Sequence, residues 1–197
     1  MVAAPRFRGG SPIVRSKHAY YDAAMEILAV DGAHAVSVTG LCAALGASTG
    51  SFYHHFAGWD DFLEKFLVHW ERQQTTRVIE LALRHEDPRE RFLVLGELAT
   101  AVPHAPEAAI RAWAHHDEVV AAAQERVDGE RLAFAEEVVY GLVHDRPRAR
   151  ALAVHLVATF VGLQGLRPPL AADEVAAVLE IFQRHVLAEA AHPRIDR

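Results

Sequence analysis

The amino-acid sequence predicts an all-α protein with a three-helix head and a larger helical body. Three observations point there. Alanine and leucine dominate a chain that is 51% apolar and only 8% aromatic, a composition that favours packed helices. Apolar residues recur at three- and four-residue spacing, and no run alternates with the period of two that a half-buried strand needs. Helix-start signals punctuate the chain at Ser37, Ser48, Asp87-Pro88 and Asp145-Arg146-Pro147; each offers a side-chain oxygen to an unpaired backbone N–H, two of them with proline in the first turn. With 197 residues there is enough chain to bury a real core in one large or two small domains.

Met1 to Gly10 lacks periodicity and reads as an arm, whose Arg6 and Arg8 could reach phosphates. The first helix starts near Ser11 or Ser16 and stops before Asp31-Gly32, with Ala24, Ile27 and Leu28 as its buried stripe. Ser37 caps the second helix, Val38, Leu41, Ala44 and Leu45 form its apolar face, and Gly46 ends it by taking the left-handed conformation without steric penalty. Ser48 caps a third, from about Thr49 to His55. So short a helix is marginal alone, so Phe52 and Phe56 must anchor it in the core, leaving Thr49, Ser51, Tyr53 and His54 outward. Gly50 weakens it further but lets backbone approach a partner closely. Two helices joined by a tight glycine turn form a helix-turn-helix, whose second helix can lie in the DNA major groove. The alternative is a helical hairpin inside an ordinary bundle.

A fourth helix runs from Trp59 to about His85 through Phe62, Leu63, Phe66, Trp70, Val78 and Leu81, roughly 40 Å at 1.5 Å per residue. Asp60 and Asp61 suit its N-terminus by dipole complementarity. The remaining patterns predict helices at about 88–102, 106–115, 118–143, 147–165 and 173–191, the last capped by Asp173. The domains expected are 1–57, the head with its arm, and 58–197, the body.

The formal charge of −6 argues against a protein that coats nucleic acid through bulk charge. It is unevenly spread: residues 1–57 hold four basic side chains (Arg6, Arg8, Arg15, Lys17) against three acidic ones, leaving 16 basic and 23 acidic for the rest. Local cations, more than net charge, govern phosphate contact. Cys42, the single cysteine, reads as a small core residue. None of the thirteen histidines lies three or four from another and HExxH is absent, so no helix supplies a metal with two ligands in the usual way. No cofactor motif is present. No signal peptide or membrane span is legible, and a cytoplasmic location is expected.

The run LGASTGSFYHHF, with YYDAAMEILAVDG before it and WDDFLEKF after, resembles the DNA-binding domain of tetracycline-repressor (TetR) family regulators from Tyr20 to about Trp70. The resemblance implies that Thr49 and Ser51 face base edges, with Gly50 allowing close approach, while Ser37, Tyr53 and His54 contact phosphates of a double-stranded operator. Two departures stand out: Tyr20 replaces a usual aliphatic residue, and Trp59 stands where a lysine is common.

In the resembled family the last two helices pair across a homodimer, which here implies Leu152, Leu156, Phe160, Leu179, Phe182 and Val186 as the interface. Phe66, Trp70, Phe92, Trp113 and Phe134 suggest an apolar pocket for a small organic effector. The function implied is a transcriptional regulator, a repressor released from a palindromic operator by that effector. The rivals are a helical enzyme or a metal-binding protein using the aromatic, histidine-rich body; no nucleophile–base pair or metal motif supports either.

Overall fold

The computed structural model describes residues 16–166 and 171–191. The expected arm, with Arg6, Arg8 and Arg15, lies outside the described residues. The described residues are helical, without strands, and divide into two compact units, one reaching to Phe66 and the other starting at Leu67.

The first unit builds on α1 (Lys17–Val30), α2 (Val38–Leu45) and α3 (Thr49–His55), and includes the first residues of α4 (Trp59–Glu71). Each start is capped locally: Ser16 Oγ accepts from the Ala19 N–H, Ser37 Oγ from Gly40 and Ser48 Oγ from Ser51, at 3.1–3.3 Å. Gly46 is left-handed at φ 59° and turns the chain between α2 and α3. A Cβ on Gly40 would lie 2.5 Å from the Ala35 carbonyl oxygen, so α2 can meet the preceding 3-10 turn (Ala33–Ala35) only with glycine there. Tyr20, Leu41, Phe52, Phe56, Phe62 and Phe66 are all buried. The aromatic rings among them meet tilted, edge-on or stacked, with Phe52 5.0 Å from Phe56 and Phe62 5.8 Å from Phe66. Cys42 is buried and its thiol donates to the Ser48 carbonyl.

In the second unit the expected long helix is interrupted. After α4 ends at Glu71, Arg72–Thr76 form one π turn, closed by the Arg77 N–H donating to the Arg72 carbonyl, before α5 (Arg77–Ala82). The turn carries Gln74 and Thr75 into the interior, at 4% and 1% exposure. A wide turn of this kind loosens the regular carbonyl ladder, and Arg131 engages it by donating to Thr75 Oγ1 and the Gln74 carbonyl. Then follow α6 (Pro88–Ala101), α7 (His104–Trp113), α8 (Glu118–Val143), α9 (Arg146–Gly165) and α10 (Ala172–Ala191). Asp87, Asp117 and Asp145 cap three of these through their carboxylates. At α10 it is Glu174, and not Asp173, whose carboxylate reaches back to the Ala171 N–H.

The side chains expected at a dimer interface are packed inside the subunit. Leu152, Phe182 and Val186 belong to a core with Phe92 and Val138; Phe160 and Leu179 form a second cluster with Val175; Leu156 packs against both. Leu152, Phe160, Leu179, Phe182 and Val186 are at most 8% exposed, which leaves a partner almost nothing to bury. The cause is helical phase: positions 152, 156 and 160 share one face, and that face points into the subunit. The outer side of α9 carries the smaller Ala151, Val154, Ala158 and Gly162.

Candidate functional site

The polar side of α3 is held from behind. Phe52 and Phe56 are buried and Tyr20 packs edge-on against both, each at 5.7 Å between ring centres. Thr49, Gly50, Tyr53 and His54 are exposed on the opposite side, as is Ser37 at the start of α2. Ser51 departs from its expected outward role: it is half-buried, and its hydroxyl accepts a 3.1 Å hydrogen bond from the Tyr20 hydroxyl. It keeps one proton to donate and one further lone pair. Tyr20 thus does what an aliphatic residue cannot, tying α1 to the middle of α3 with a polar bond. The sequence signal was that substitution itself.

Ser37 accepts the Gly40 N–H at its hydroxyl oxygen and keeps the O–H proton to donate. At α4, Trp59 in the position of a common lysine sets its ring 5.5 Å from Phe62. Asp61 receives Lys65 at 2.5 Å and the Ala57 N–H at 3.0 Å. The Lys65 hydrogen bond, then that backbone bond, hold its carboxyl below the usual range.

Residues 21–65 match the family model of bacterial regulatory proteins, tetR family. The matched stretch spans most of α1, all of α2 and α3 and the first half of α4, so the likeness to that family lies in the helix-turn-helix and the helices around it. No curated protein matches the sequence. Among solved structures, a transcriptional regulator from Rhodococcus sp. Rha1 is 20% identical with a TM-score of 0.71, covering 88% of this chain and 97% of its own. A TetR-family transcriptional regulator from Streptomyces coelicolor is 16% identical with a TM-score of 0.70, covering 92% and 100%. The multidrug binding protein EbrR, complexed with malachite green, is 20% identical with a TM-score of 0.58, covering 85% and 98%. At these identities the likeness is one of fold, and it extends the TetR fold beyond the matched head to the body.

The body holds a cavity of about 90 Å³, well above the ~10–15 Å³ that one water needs. Phe92 and Phe134, expected in a pocket, are in its wall. Phe66, Trp70 and Trp113 are not: Phe66 belongs to the aromatic core of the head, Trp70 is wholly buried within α4, and Trp113 ends α7 half-buried. Four of the residues expected at the dimer interface, Leu156, Phe160, Leu179 and Phe182, line it instead.

Four polar residues also line it, and sequence reasoning missed them all: Gln74, Thr75, Arg131 and Gln183. Nothing in local spacing links positions 74 and 75 to 131. Arg131 grips the wholly buried Glu107 through both guanidinium nitrogens Nη1 and Nη2. It also stands 5.5 Å over the Phe160 ring. Beyond it Arg111 makes a two-pronged pair with Asp128 at 2.6 and 2.8 Å and touches Glu107 at 3.4 Å. Two arginines thus face two carboxylates, and the cluster sums to no net charge. His104 sits next to the Phe160 ring at 5.2 Å, and burial pushes its pKa below the ordinary value. Among the described residues, no group of three His, Cys, Asp or Glu is placed to hold a metal ion, and no helix is long and apolar enough to cross a membrane.

Proposed function

We propose that this protein is a repressor that binds a palindromic operator as a homodimer and leaves it when a small organic molecule occupies the body cavity. The observation that carries the reading is the mounting of α3: three buried aromatic rings fix its back while Thr49, Gly50, Tyr53 and His54 stay exposed. Thr49 reads base edges, Gly50 lets backbone come close, and Tyr53, His54 and Ser37 contact phosphates. Ser51, tied to Tyr20, holds α3 in place more than it reads sequence. Hydroxyls discriminate less than a bidentate arginine, so specificity rests on several small contacts and on DNA shape.

The dimer forms through the outer sides of α9 and α10, where Val154 and Ile181 are 45% and 60% exposed among small residues that allow close helix approach. Twofold symmetry then presents two recognition helices to half-sites about one helical turn apart. A cavity walled by Phe92, Phe134, Phe160 and Phe182 supports an organic effector, as does the malachite green held by EbrR. Release is a population shift; coupling of about 1–3 kcal/mol weakens operator affinity roughly 5–150-fold.

Selection of bound duplexes from a random pool tests the reading. A palindrome should be enriched, and Thr49→Ala should lower the ratio of operator to random affinity by about fivefold, the loss of one modest contact. A pool with no enriched sequence would end the operator account. For the dimer, Val154→Glu with Ile181→Glu should sediment as a folded monomer; persistence of the dimer would remove those faces from the interface.

A further inference from the structure

The polar groups on the cavity wall are not balanced between donors and acceptors. Gln74 is 4% exposed, and its Oε1 is buried without a hydrogen-bond partner. Gln183 donates from Nε2 to the carbonyls of Phe92 and Leu93 at 3.1 and 3.2 Å. Two carbonyls can accept only from the NH₂ end, so they fix the amide orientation and leave Oε1 as the atom able to receive a ligand. Gly96 makes this possible, since a Cβ there would collide with the Gln183 amide.

Arg131 offers little to an anion. Its Nε–H goes to Thr75 Oγ1 at 3.0 Å, Nη1 to Glu107, and Nη2 to Glu107 at 2.8 Å and the Gln74 carbonyl at 3.4 Å. A ligand carboxylate would have to draw that guanidinium off Glu107, stranding a fully buried charge, a strongly unfavourable exchange. A ligand cation fares no better, because the cavity wall holds no carboxylate and already carries the Arg131 charge.

Resting on the reading of this cavity as the effector site, we infer that its ligand is an uncharged, mainly apolar molecule carrying one O–H or N–H that donates to Gln74 Oε1. The aromatic wall takes the apolar part. The donor satisfies the one wall acceptor that folding leaves buried and unmatched. An apolar molecule without a donor would leave that acceptor unmatched and forgo the gain of the hydrogen bond.

A set of ligands sharing one hydrocarbon frame tests this on the full-length protein by titration calorimetry: 4-propylphenol, 4-propylanisole, 4-propylbenzoate and 4-propylbenzylammonium. The phenol should bind about tenfold or more tightly than the anisole, as expected for one buried hydrogen bond, and the two ions more weakly still. Gln74→Leu should bring the phenol and anisole to within about twofold of each other. The inference is overturned if the phenol and anisole bind alike to the unaltered protein, if either ion binds tightest, or if none of the four binds. These outcomes need only the unaltered protein, so they stand even where the leucine variant does not fold. Adding operator duplex separates the two readings: phenol binding that depends on Gln74 yet leaves DNA affinity unchanged would defeat the release mechanism and keep the ligand class.

Discussion

In the head, the hydrogen bonds that start the helices run over three residues, from Ser16 to Ala19, Ser37 to Gly40 and Ser48 to Ser51, and one longer bond joins Tyr20 to Ser51 across 31 positions. In the body, the polar bonds of the interior span the chain: Arg131 reaches Glu107 across 24 positions and Thr75 across 56. The head also closes its core with interlocked rings, whereas the body leaves a cavity. Local bonds fix a rigid surface cheaply in sequence terms. Distant ones tie helices together around a space, and a ligand entering that space meets the same arginine that joins α8 to α7 and to the π turn. The contrast is between a part closed on itself and a part built around a space.

The sharpest way to break that contrast is to remove its buried anchors. Glu107→Leu should cost about 3–5 kcal/mol, because it leaves the Arg131 charge buried and unpaired. Adding Arg131→Leu should recover more than half of the loss in urea unfolding. A double variant no more stable than the single one would mean that the pair is not the unit described here. Phe52→Ala should cost the head about 3–4 kcal/mol through a core cavity. It should abolish DNA binding and speed hydrogen exchange in α1 to α3 while α8 and α9 amides stay protected; equal loss of protection in both would show one cooperative unit.

Smaller changes sharpen the comparison. Tyr20→Phe removes only the hydroxyl that reaches Ser51 and should destabilise the head by about 0.5–1.5 kcal/mol, measured as faster exchange of α3 amides. An unaltered rate would show that the rings alone hold the helix. The least effect expected is a pH slope. Burial depresses the pKa of His104 below its ordinary 6.5, so the unfolded chain takes up this proton more readily than the folded one. The stability it contributes is present above pH 6.5 and is lost as pH falls through the folded value. The thermal midpoint should drop less between pH 7.5 and 5.5 in His104→Leu than in the unaltered chain.

The same contrast explains what was legible in the sequence. The caps at Ser37 and Ser48, the stop at Gly46 and the phenylalanines four apart are short-range signals, and each sits in the structure as the spacing predicts. Asp87-Pro88 and Asp145-Arg146-Pro147 marked α6 and α9 for the same reason. What was illegible depends on which face of a helix meets which neighbour. Leu179 and Phe182 are equally plausible as interface or interior until α6 is packed against α10, and the structure turns them inward. Trp70 and Trp113 share the chemistry of the cavity wall but do not line it. The four polar cavity residues come from three separate elements, and no window of sequence contains them together.

The π turn at Arg72–Thr76 holds one more residue than an α-turn would. Elsewhere in a helix, deleting one position swings every later side chain by about 100° around the axis. Here the same deletion would let ordinary winding resume, with Val78 and Ile79 still in phase. The chain therefore carries a surplus residue at a spot that can absorb its loss. That surplus residue is what swings two polar side chains into a wall that would otherwise be nearly all hydrocarbon.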